Sequence, residues 1–104
     1  MNFEFYPEAE SEYLEDARYY DRQRDGLGDY FTAEIEATIA RICRNPLAWR
    51  KLSRHTRRCL AKNFPYGIIY FIEKDRIIIL SVMHLSRKPG YWKARLRDLK
   101  KRKS

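Results

Sequence analysis

Two clusters of cationic and polar side chains flank the most apolar part of this chain. Arg57 and Arg58 enter it, and His84, Ser86, Arg87 and Lys88 follow it. Guanidinium and ammonium groups gathered in this way favour phosphate and carboxylate oxygens, and a histidine beside them adds a group that exchanges protons near neutral pH. The stretch from Thr56 to Trp92 reads as three consecutive strands, the last almost wholly apolar. A buried sheet that delivers cations to one rim predicts a surface for a polyanion.

Charge along the chain supports that expectation. The 104 residues carry 22 Lys and Arg against 14 Asp and Glu, a formal net charge of +8. Residues 1–28 hold 8 acidic and 3 basic groups, whereas residues 46–66 hold 6 basic and no acidic ones. Residues 87–104 hold 9 basic groups against Asp98 alone. The start is therefore acidic and the central loop and tail are basic, a polarity that steers polyanions to one side.

Cys43 and Cys59 are the only cysteines, with no CxxC pair and no histidine at zinc-finger spacing, so neither a metal nor a cofactor is expected. Both read as buried free thiols, which fits a reducing cytosol. The first residues have no basic start and apolar stretch, and the apolar run Ile77 to Met83 is far too short to span a bilayer. These features predict a cytoplasmic protein with no membrane association.

The elements that must position the cations follow from periodicity. At this length a single domain over residues 1–104 is expected. Asn2 to Phe5 alternates as a short strand, and Pro7 starts a helix whose acidic first turn suits its dipole. Tyr13, Leu14, Ala17 and Tyr20 form its apolar side. Gly26 and Gly28 bracket a tight connection, and Asp29 is the expected N-cap of a second helix. That helix has the stripe Phe31, Ile35, Ile39 and Ile42 and stops at Asn45–Pro46. Leu47 to His55 is expected to be a loop in which Trp49 covers the sheet edge. Strands over Arg57–Asn63, Ile68–Glu73 and Ile77–His84 follow, and short connections require them to pair antiparallel. The result is an α+β domain of order β-α-α-β-β-β, its helical hairpin on one sheet face and the other face partly open. A short basic C-terminal tail or helix, from about residue 93 to 104, ends the chain.

In this order the chain resembles the RelE/ParE superfamily, the toxins of bacterial type II toxin–antitoxin modules, over nearly its whole length. The resemblance rests on Phe5–Tyr6–Pro7–Glu8–Ala9–Glu10, Gly26–Leu27–Gly28 and Asn45–Pro46. It rests also on Arg57–Arg58, Phe64–Pro65–Tyr66–Gly67–Ile68–Ile69–Tyr70, and Val82–Met83–His84 with Arg87. It implies a cognate antitoxin as partner and one of two activities. RelE-like members cut messenger RNA on the ribosome; ParE-like members inhibit DNA gyrase without nuclease chemistry.

Cleavage by 2′-OH attack needs a base, cations for the phosphorane and an acid for the leaving oxygen. Against the RelE-like pattern, Arg58 and Arg87 match cationic positions, but Leu60 and Gly67 stand where cations should be. Tyr91 lies near the tail tyrosine but out of register, and His84 is a candidate acid or base. The endonuclease reading therefore names Arg58, His84, Arg87 and Tyr91 as catalytic, with the ribosome and its messenger RNA as target. The departures favour the ParE-like reading, a gyrase inhibitor contacting its target or nucleic acid through Arg57, Arg58, Lys62, Arg87, Lys88, Lys93, Arg95 and Arg97. A further alternative is a non-toxic basic nucleic-acid-binding domain.

Overall fold

Aromatic and β-branched side chains recurring at two spacings divide the chain into helices and strands, seen in a computed structural model that describes residues 1–88 and 90–103, with the side chains of all but Arg102 and Lys103. The elements are β1 (Asn2–Phe5), α1 (Pro7–Gln23), α2 (Leu27–Arg44), β2 (Arg50–Lys51), β3 (Thr56–Leu60), β4 (Tyr66–Glu73), β5 (Arg76–His84) and α3 (Lys93–Lys103). The α+β class and the expected element order hold. One strand was hidden: β2 is only two residues, both cationic, too short to leave a periodic signal.

The sheet order is β1-β5-β4-β3-β2. β3, β4 and β5 are antiparallel as expected, whereas β1 runs parallel to β5, pairing Phe5 with Ile79. Ile69 pairs with Ser81 and Tyr70 with Ile79, so Leu80 is the extra residue of a β-bulge. At the β4–β5 turn Lys74 takes φ 55°, the left-handed geometry of a tight hairpin.

One sheet face packs on the helical hairpin. Phe31, Ile35, Ile39 and Ile42 of α2 are all buried there, with Tyr13, Cys59, Tyr66, Ile68 and Tyr70. Leu14, expected on the apolar side of α1, is exposed instead. Asp29 is not the N-cap, because α2 begins at Leu27 behind Gly26, whose φ is +84°. The capping role falls to Asp21 of α1, whose Oδ1 accepts the Gly28 N–H at 2.7 Å.

The second face is covered in part. Trp92 is buried against Ile69, Leu80 and Met83, and Leu96 and Leu99 of α3 pack on the same cluster. The basic tail thus contains an apolar stripe that the surrounding lysines and arginines obscure in sequence.

Candidate functional site

Strand alternation decides where the cations go. Adjacent residues on β3 point to opposite faces, so Arg57 and Arg58 cannot share one rim. Arg57 lies opposite Tyr70 in the ladder, on the helical side, and its Nη1 donates to the Trp49 carbonyl at 2.8 Å. Trp49 packs on the core beneath the loop, as expected of a cover for the sheet edge.

Arg58 lies on the other face, opposite Ile69 in the ladder and diagonal to Gly67. A Cβ built on Gly67 would meet the Arg58 Cδ at 3.0 Å and Cγ at 3.1 Å. Gly67 therefore leaves room for the Arg58 stem, which a side chain at that position would push aside. Leu60, at the other missing cationic position, is 50% exposed. Arg58 lines a depression of about 300 Å³ together with Leu52, Met83, Gly90, Trp92 and Lys93.

His84 belongs to a different recess, on the helical side. Its ring stands edge-on to Tyr66 at 5.2 Å. The Tyr66 hydroxyl donates to Asp16 Oδ2 at 3.1 Å. Asp16, Tyr19, Tyr20, Tyr66, His84 and Arg87 line this recess of about 450 Å³. Burial raises the Asp16 carboxyl above its ordinary range, partly offset by the Tyr66 hydrogen bond and by Arg87. Burial and the Asp16 charge also push the Tyr66 hydroxyl well above the ordinary phenol range.

His84 Nδ1 accepts the Ser86 backbone N–H at 3.1 Å and lies 2.7 Å from the Ser86 hydroxyl. Accepting an N–H requires Nδ1 without a proton, so the neutral ring carries its proton on Nε2. In that form Nε2 is a donor, and Nδ1 is already engaged by Ser86. Arg87 stacks on the Tyr91 ring, its guanidinium carbon 3.7 Å from the centroid. The Tyr91 hydroxyl turns away to hydrogen-bond Ser81. Hence Arg87 joins His84 in one recess, Arg58 lines another, and the Tyr91 hydroxyl faces inward. The four residues expected of an endonuclease do not form one constellation.

A family profile described as the ParE toxin of the type II toxin-antitoxin system, parDE, matches residues 3–89. This chain belongs to the ParE toxin family. No curated protein matches it. Membership makes a cognate antitoxin the implied partner of this ParE toxin. No helix among the described residues is long and apolar enough to cross a membrane. Among the described residues no group of histidine, cysteine, aspartate and glutamate is arranged to hold a metal ion.

The matched region of the ParE toxin ends before α3, so the role of that helix must be read from its contacts. Arg95 was expected at a contact surface, but its side chain is only 11% exposed. Its Nη2 reaches both carboxylate oxygens of Glu12 at 2.8 Å, and its Nη1 donates to the Leu80 carbonyl at 2.8 Å. That carbonyl belongs to the bulge residue of β5. Arg95 is thus a pin between three elements. Lys62, Lys88, Lys93 and Arg97 are exposed, as a contact role requires. The side chains of Arg102 and Lys103, and Ser104, lie outside the described residues.

Sequence reasoning missed Asp16, Tyr66 and Glu12 as site residues. One signal for Asp16 was available: it falls between Tyr13 and Tyr20 on the inward side of α1, where an acid needs a buried partner. Glu12 carried no such signal, because its partner lies 83 residues away.

Proposed function

We propose that this ParE toxin inhibits DNA gyrase by binding, performs no hydrolysis of its own, and is neutralised when its antitoxin covers the same cations. One observation carries this reading: Arg58 meets Lys93 across an apolar depression floored by Met83 and Trp92, and His84 is absent from it. Two cations around an apolar floor suit docking on a protein or a protein-bound phosphate backbone. They lack the adjacent base that 2′-OH attack requires. Lys88 and Arg97 are further exposed cations in the segment that follows β5.

His84 and Arg87 do share a recess, which is the specific support for the ribosome-dependent endonuclease as a second reading. The Nε2–H form of His84 and the inward Tyr91 hydroxyl weigh against it, since both leave the nucleophile without a base. Parallel assays separate the two. Purified toxin added to gyrase supercoiling reactions tests the first reading, and primer extension on messenger RNA after induction tests the second.

A further inference from the structure

The edge of the sheet formed by β2 and β3 carries a third cationic feature, apart from both recesses already described. Lys51, Arg54, His55 and Arg57 line a cavity of about 200 Å³ together with the apolar Leu47, Phe71 and Ile72. No acidic residue occurs anywhere from 46 to 66. We propose that this cavity binds single-stranded nucleic acid, with a phosphate held by the cationic side chains and an unpaired base laid on the apolar part of the lining.

The geometry favours a phosphodiester over other anions. A carboxylate and a phosphodiester each offer two charged oxygens, but a nucleotide joins its anion to a flat ring, and here the cationic rim borders the apolar Leu47 and Phe71. Arg57 is already fixed by its hydrogen bond to the Trp49 carbonyl, so little freedom is lost when it accepts a ligand. The apolar lining separates single strands from duplex. Leu47 is 67% exposed and Phe71 is half-buried, so an unpaired base can lay its face on them, whereas a base stacked in a duplex has both faces covered.

Cations on a short edge strand also discourage edge-to-edge pairing, and Arg50 and Lys51 fit that purpose. It does not account for Arg54 and His55, which lie beyond β2 in the turn, or for Arg57, which is tied inward. The inference needs no gyrase and stands or falls separately from the target proposed above.

Fluorescence anisotropy with labelled oligo(dT) and oligo(U), over a salt series, tests it on the intact chain. Lys51→Ala/Arg54→Ala should weaken binding several-fold and reduce the slope of log affinity against log salt by about 1.4, since each single-strand phosphate contact contributes about 0.7. Leu47→Ala should weaken binding with the slope unchanged. Arg22→Ala/Arg24→Ala, at the helix connection, removes the same charge and should cost much less. Equal losses from the two double variants would overturn the proposal, as would competition by polyglutamate equal to that by unlabelled oligonucleotide.

Discussion

Glu12 of α1 and Arg95 of α3 close the molecule across 83 residues of sequence, with one guanidinium nitrogen 2.8 Å from each carboxylate oxygen. The same guanidinium satisfies the Leu80 carbonyl that the β5 bulge leaves free of the ladder. Arg87 also approaches Glu12, at 3.6 Å. One carboxylate therefore orients both the C-terminal helix and the arginine after β5. Because Glu12 is about one-third exposed, solvent weakens the pair relative to a fully buried one.

Arg95→Ala should destabilise the fold by about 2 kcal/mol, the order expected for losing charge-assisted hydrogen bonds at a mostly buried site. It should also loosen α3 and expose Trp92. Urea denaturation measures the first effect, and a red shift of tryptophan emission under native conditions measures the second. Arg97→Ala, on the exposed side of the same helix, should change neither by much.

Gly28→Ala should cost about 1–3 kcal/mol through overpacking. Its Cβ would lie 2.4 Å from the Ala17 carbonyl oxygen and 2.7 Å from the Asp21 carboxylate. The first of these is backbone and cannot move aside, so α1 and α2 must separate. Thermal unfolding should show the loss. Gly26→Ala, with open space around it but φ at +84°, should lose stability through backbone strain alone.

Asp16 supplies a pH dependence with a definite sign. Its carboxyl is raised in the fold, chiefly by burial, so its contribution to stability is present below the unfolded value and lost as pH rises through the raised one. Asp16→Asn keeps an acceptor for Tyr66 and removes that titration. The stability of the wild type relative to Asp16→Asn should therefore improve as pH falls from neutral through the carboxylate range. Midpoints of thermal unfolding for both proteins, taken from pH 7 to pH 3.5 or so, give the comparison.

How much of this was legible in the sequence differs from element to element. The stripe of Phe31, Ile35, Ile39 and Ile42 and the apolar run of β5 were plain, because burial on one face or on both leaves a periodic trace. The cover on the second sheet face was not, because Trp92, Leu96 and Leu99 are diluted among cations in a segment of low mean hydropathy. The rim of cations was legible as charge but not as geometry. Arg57 and Arg58 part by strand alternation, and Arg58 meets Lys93 only because the chain returns over β4 and β5. The role of Gly67 required knowing where the Arg58 stem lies.

If the depression around Arg58 and Lys93 is the docking surface, charge reversal there should be felt by the target. Arg58→Glu and Lys93→Glu should each raise the concentration for half-inhibition of gyrase by about tenfold, equivalent to about 1.4 kcal/mol. Their effects should be less than additive, since both line one depression. His84→Ala, in the separate recess, should leave inhibition intact.

Supercoiling by purified gyrase in the presence of purified wild-type toxin is the most direct test. The account predicts inhibition at micromolar toxin, accumulation of cleaved DNA–gyrase complex, and no cleavage of RNA by the toxin itself. Undiminished supercoiling with no trapped complex, together with messenger RNA cuts at ribosomal A-site codons that vanish in His84→Ala, would contradict it.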